Sequence, residues 1–241
     1  MGSGFGPMAS PSEVTNLYRA RLSANNAQIL AQTQALFVRL FDPRDPAGSL
    51  RPFGAYLGRL ITQGQYANAL EATTYLRALV AQATGLPLDA IDPFDIPPNL
   101  VGTVMNGSTT VGYCNQAPAV YFNRIGQGQS PEMAATSTLA WANMTAGSEP
   151  WRVANGTVNH NATSDRRYTG RCNRITRASA CEFCTLIADR GYIPSHADFA
   201  AHHNCHCTAE PEISSYATSR ASIRRGMAAT EQQSRLERWQ S

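Results

Sequence analysis

The sequence predicts an α+β chain, with a mostly helical N-terminal part and a small α/β C-terminal module. Two observations carry that prediction. Apolar residues recur at three- and four-residue intervals in successive segments as far as Ala162, the signature of amphipathic helices. Near Arg166 the pattern changes to an alternating stretch, which runs directly into a cluster of cysteines and histidines.

The first helix is predicted from Ser10, Pro11 and Glu13, which read as an N-cap, a first-turn proline and a capping-box acid. Val14, Tyr18, Leu22, Ile29, Leu36 and Leu40 follow at helical spacing, and Asp42-Pro43 with Asp45-Pro46-Ala47-Gly48 ends the helix near Phe41. A second helix is expected over Arg51 to Ile61 and a third over Gln65 to Thr84. The third places Tyr66, Leu70, Thr73, Leu76 and Val80 on one face, with Gly85 and Pro87 as stop signals. Leu86 to Pro98 carries four prolines and reads as a rigid irregular connection, and Val101 to Tyr113 as a turn-rich stretch or short hairpin.

Ala117 to Ile125 is read as helical. Ser130-Pro131-Glu132 caps a helix through Met144, with Met133, Ala140, Trp141 and Met144 inward, and Glu149-Pro150-Trp151 starts another that reaches Ala162. Arg166 to Thr176 is a predicted strand, and Ser214 to Trp239 a polar, arginine-bearing helix. The expected organisation is a flexible lead-in over 1–10, a helical hairpin or bundle over 11–86, and an irregular connection with helices over 87–150. The C-terminal module then spans 151–213 and a terminal helix 214–241.

Composition narrows the function. With 241 residues the chain can bury a core that needs no staple, and 43% hydrophobic against 15% charged residues describes a folded globular protein. No apolar run approaches the ~20 residues that cross a bilayer and no basic-then-apolar leader is read, so no membrane partner is expected. A net charge of +3 is too small for a domain-wide nucleic-acid footprint. All 20 basic residues are arginine, so Walker lysines, Schiff-base lysines and Ser-Lys dyads are excluded.

Four of the six cysteines lie between Cys181 and Cys207, which favours a metal over disulfides. Cys181-Glu182-Phe183-Cys184 is followed by a short helix over Thr185 to Arg190, a turn at Gly191, and then His202-His203-Asn204-Cys205-His206-Cys207. This is C-x-x-C facing H-x-x-C-x-C, and two-residue spacers let a tight turn aim both side chains at one tetrahedral zinc ion. Five groups compete for four positions: Cys181, Cys184, His202, Cys205 and Cys207. Cys181 and Cys184 form one pair and His202 with Cys205 the favoured second, while Cys207 can replace either member through its C-x-C turn. A filled tetrahedron leaves no place for water or substrate, so the zinc is read as structural and the chain as non-enzymatic.

Other chemistries lack their signatures. No histidine is followed two residues later by glutamate, which excludes a zinc deaminase, and G-x-S-x-G, H-E-x-x-H and phosphate-cradling glycine loops do not occur. Cys114 and Cys172 read as buried thiols, and His160 and His196 stand alone. The rival readings are a zinc-containing nuclease, with one of His202, His203 and His206 activating water, and a DNA-binding zinc module.

The stretch Arg171 to Glu212 resembles the Mu F-like minor capsid, or head morphogenesis, proteins of tailed bacteriophages, most closely those of phages of actinobacteria. Arg174, Cys181, Phe183, Cys184, Arg190, Gly191, His202, Cys205, Cys207 and Thr208 match its strand arginine, A-C-x-F-C, R-G and H-x-x-C-x-C-T features. The resemblance implies a low-copy, non-catalytic component of the phage head that meets the portal or the major capsid protein. Its location would be the virion, and the host cytoplasm during assembly. Arg166, Arg167, Arg171, Arg220, Arg224 and Arg225 are candidates for weak contact with packaged DNA. The protease and toxin domains that some relatives carry have no counterpart in the sequence.

Overall fold

The computed structural model describes residues 13–176, 180–191, 193–194 and 206–219. The architecture is α+β: a bundle of long helices carrying a small antiparallel sheet. Helix α1 spans Glu13–Leu40 and buries Tyr18, Leu22, Ile29, Leu36 and Phe37 at the predicted spacing. Ser10 and Pro11, the predicted cap, lie outside the described residues.

Helix α2 is one continuous element over Pro46–Thr84, where the sequence suggested a restart at Arg51 and a break before Gln65. The physical reasons are local. Asp45 accepts a hydrogen bond from the Gly48 N–H at 3.0 Å, and Pro46, at the first helical positions, gives up a donor that would have had no partner there. Gly64, which falls between the two expected helices, has a packing role, since a Cβ there would stand 2.3 Å from Ile29 Cδ1. Gly85, at φ 66°, ends α2 and returns its N–H to the Ala81 carbonyl. The buried face is also rotated from the one expected: Gln65, Asn68, Ala69, Ala72 and Tyr75 point inward with Leu76 and Val80, whereas Tyr66 and Leu70 are exposed.

Residues 86–98 are irregular apart from a 3-10 turn over Leu88–Ala90, yet they insert Ile91 and Phe94 into the core. The next stretch makes a single bridge, Thr103 to Thr109, and enters the short helix α3, Thr110–Cys114. Gln65 fixes this stretch: its amide donates to Thr103 O at 2.8 Å and accepts from Gly102 N at 2.9 Å. Helix α4 covers Ala117–Gly126.

Helix α5 runs unbroken over Pro131–Ser164, where two helices were expected. Pro150 lies inside it and removes one ladder donor without ending the helix, because both halves are packed: Ala142 and Ala146 before it, Trp151 and Val153 after it, are all buried. The inward face of its first half is Ala134, Thr138, Ala142 and Thr145, so Met133 is exposed, Ala140 lies outward and Trp141 and Met144 are half-buried. Helices α1, α2 and α5 pack on one another.

Strand β1, Tyr168–Ile175, follows α5 after a tight turn. Helix α6 is Glu182–Ala188, β2 is Ile193–Pro194 and β3 is Thr208–Ile213. The strand order is β2-β1-β3, antiparallel throughout, with Arg174 opposite Ala209 and Ile175 opposite Thr208. One core cluster joins this sheet to the bundle through Tyr18, Leu76, Trp151, Val158, Tyr168, Cys172 and Ala209, and a second fills the far end around Leu50, Phe53, Leu57 and Tyr121. The predicted terminal helix begins with helical backbone over 215–219, and its remainder lies outside the described residues.

The turn into β1 is held by Arg167, whose guanidinium meets Asp165 at 2.6 Å and lies over the Phe94 ring at 3.8 Å. Partial burial would raise the Asp165 carboxyl, but hydrogen bonds from the Arg167 side chain and backbone outweigh it and hold the carboxyl below its usual range. A depressed carboxyl stabilises the fold above the unfolded value of about 4 and loses that contribution as the pH falls through the folded value. Asp165→Asn is therefore expected to be less stable than wild type at pH 7, with the gap narrowing below about pH 4. Urea unfolding at pH 7 and pH 3 measures it; a gap that does not narrow would contradict this account.

Candidate metal centre

The cysteine cluster is built from three pieces of backbone. Strand β1 delivers Arg174, helix α6 delivers Cys181 and Cys184, and the lead into β3 delivers His206 and Cys207. Cys181 is the N-cap residue of α6 and is exposed; Cys184, one turn later, is buried. Cys184 and Cys207 share one small buried cluster with Ala180 packed against it, at 1% and 2% exposure. Two of the five predicted ligands are thus brought together from segments far apart in sequence. His202 and Cys205 lie outside the described residues, as does His203. Among the described residues no three His, Cys, Asp or Glu side chains form a group that could hold a metal.

The surroundings of Cys184 differ from those of an ordinary core thiol. Arg174 is itself buried, and its guanidinium donates to Cys184 Sγ at 3.6 Å. This contact sets a cation beside a buried sulfur, an arrangement found at reactive and metal-binding cysteines. Cys114 shows the opposite case. Burial, with the Glu149 charge adding to it, pushes that thiol up to about 12, which keeps it a neutral core side chain. Cys172 is buried in the main core, as its sequence context suggested. None of the described cysteines forms a disulfide.

Helix α5 holds the Cys207 segment in place. Asn155 donates to the Cys207 carbonyl at 2.9 Å and accepts from the Ala209 N–H at 3.2 Å, a two-point grip on the backbone either side of Thr208, where β3 begins. One turn earlier, the buried Trp151 ring stacks on His206, with centroids 5.1 Å apart and planes 7° from parallel. Helix α1 adds two anchors: Arg19 donates to the Thr176 carbonyl at 2.9 Å, and Thr15 donates to Glu210 on β3 while sharing a hydrogen bond with the buried Tyr75 hydroxyl. Sequence reasoning did not find Asn155. Its signal was a polar residue at helical spacing from Trp151 and Val158 on an otherwise apolar face.

Residues 8–228 match the family model described as VG15 protein. The chain belongs to the VG15 family. This makes it a phage protein, as the resemblance of its cysteine segment implied. The matched stretch takes in the long helices as well as the cysteine segment. No curated protein and no solved structure matches the chain. No helix among the described residues is long and apolar enough to cross a membrane.

The grip of Asn155 yields a direct expectation. Asn155→Ala leaves the Cys207 carbonyl and the Ala209 amide buried without their partner, at a cost of ~2–4 kcal/mol for the two groups together. Urea unfolding should show that loss, and hydrogen exchange should show faster exchange at Ala209 than at the α2 amides. Exchange accelerated equally across the bundle would mean that Asn155 does not act on β3 in particular.

Proposed function

We propose that this phage protein is a minor capsid, or head morphogenesis, protein of a tailed phage. In this reading it is a non-catalytic virion component at the portal or head interior, and its C-terminal module is closed by one structural zinc ion. The observation that carries the reading is the apposition of Cys184 and Cys207 in one buried cluster, with the Arg174 guanidinium on the Cys184 sulfur. Membership of a phage family and the C-x-x-C and H-x-x-C-x-C spacing support it.

The donor set fits zinc. Cys184 and Cys207 would be ligands, Cys181 lies one helical turn from Cys184 at the start of α6, and His202 or Cys205 would complete four positions. The apposition gives Cys207 more weight than spacing alone did. Zinc supplies a cross-link here: it ties α6 to the lead into β3 in a module too small to bury much apolar surface by itself. Arg174 then offsets the negative charge of several thiolates around one divalent ion. The expected output is a rigid docking surface for a neighbouring head protein, with packaged DNA as a weak secondary contact.

Two measurements test the reading. Mass spectrometry of purified particles should find the chain at low copy together with the portal protein; its presence in infected cells but not in particles would reject the virion assignment. Native mass spectrometry of the isolated protein should find one zinc per chain, lost in Cys184→Ser. Arg174→Met should keep the helical circular dichroism and weaken zinc retention against a chelator about 10- to 100-fold, the effect typical of residues that support metal ligands. A natively purified chain without zinc would overturn the metal assignment.

A further inference from the structure

The outer face of the α1–α2 hairpin carries side chains that the fold does not use. Along α2, Tyr56, Arg59, Gln63, Tyr66 and Leu70 recur at alternating three- and four-residue steps and so share one helix face. Tyr56, Tyr66 and Leu70 are 49%, 53% and 43% exposed. Between this face and α1 runs a groove of about 510 Å³, with Leu36 and Arg39 on one wall and Tyr56, Arg59, Leu60 and Gln63 on the other. Exposed tyrosine and arginine around a small apolar floor, with carboxylates absent, is the composition of protein-binding surfaces rather than of ordinary solvated helix faces.

The charges say what fits. Among the described residues no aspartate or glutamate lines the groove. The nearest acids in sequence, Asp42 and Asp45, accept from the backbone amides of Arg44 and Gly48. Arg59 lies over the Tyr56 ring at 5.0 Å, and among the described residues neither Arg39 nor Arg59 forms an ion pair. Two cations therefore flank an apolar strip on an antiparallel helix pair. We propose that this groove binds an amphipathic helix of another protein, with apolar residues at three- and four-residue spacing against Leu36, Leu60 and Tyr56, and with carboxylates flanking them to meet Arg39 and Arg59.

Other occupants match less well. A second copy of the chain, docked through the same face, would set arginines against arginines. The chain's own residues 220–241 carry five arginines against two glutamates, which is the wrong sign. Duplex DNA needs a broad basic stripe, whereas two arginines here border an apolar floor. The inference rests on the groove alone and is independent of both zinc and virion location.

The test uses the full chain and two synthetic helical peptides about three heptads long. Both carry leucine at the a and d positions; one has glutamate and the other lysine at the flanking positions. Calorimetry should show the glutamate peptide binding at least about tenfold more tightly than the lysine peptide, because complementary charge sets partner choice. R39E/R59E, both at exposed sites, should keep the wild-type circular dichroism and reverse that preference, and Tyr56→Ala should weaken the glutamate peptide about tenfold. No binding of the glutamate peptide, equal binding of both, or an unchanged preference in R39E/R59E would overturn the proposal. So would a dimer in sedimentation that Tyr56→Ala abolishes, or duplex DNA binding that R39E/R59E abolishes in place of peptide binding.

Discussion

The side chain of Asn155 reaches from the middle of α5 to the backbone on both sides of Thr208, where it satisfies one carbonyl and one amide. These groups lie where the cysteine segment becomes strand β3, and the strand's other edge is already paired with β1. A backbone group buried there without a partner would cost as much as a lost hydrogen bond, so the strand's placement and the helix's sequence are coupled at one residue. The depth and orientation of Cys207 follow from it. The Trp151–His206 stack, one turn away on the same helix, fixes the residue next to Cys207 in the same way.

A small module attached in this manner has an uneven core. The sheet face toward α5 is continuous with the main core through Tyr168, Cys172 and Ala209, and it needs nothing beyond ordinary burial. The far side, where α6 meets the lead into β3, has a cluster of two cysteines with one alanine against it. Among the described residues that is little apolar area to hold a helix against a strand, and the buried Arg174 beside it meets the Cys184 sulfur. The zinc proposed above would bridge the two sulfurs across this contact. This imbalance is the physical content of the zinc reading, and it does not depend on the spacing of the motif.

The fold class, the long helices and the strand after them could be read from sequence because each rests on local signals, helical periodicity and a change to alternation; of the five candidate ligands, the described residues bring together Cys184 and Cys207. The errors share a cause. Pro46, Gly64 and Pro150 all punctuate helices when judged by their neighbours in sequence, yet each lies inside or at the start of a long helix. Pro46 suits a first helical turn, Gly64 admits Ile29, and Pro150 loses one hydrogen bond in a helix packed on both sides of it. Large apolar residues also misled. Met133, Tyr66 and Leu70 drew the predicted inward faces toward themselves, while Gln65, Asn68, Thr138 and Asn155 occupy the buried positions. Polar residues with specific hydrogen-bond partners carry no apolar signal, so the side chain that grips β3 was the least visible of all.

Those misread positions bear on how the molecule divides its surface. Helices α1, α2 and α5 could have buried Tyr66 and Leu70 by a small rotation of α2, had the core required apolar area above all. Instead α2 turns Gln65 inward to bind the 102–103 backbone and sets Asn68 beside Asn25, at 3.2 Å. The polar contacts fix the rotation of α2, and the rotation leaves tyrosine and leucine outside. A helix that buries Gln65 and Asn68 while Tyr66 and Leu70 stay exposed has a second face to satisfy. The sheet meets the bundle near the start of α1, where Thr15 and Arg19 hold it, and the α1–α2 groove lies toward the opposite end of the hairpin, where no described residue covers it.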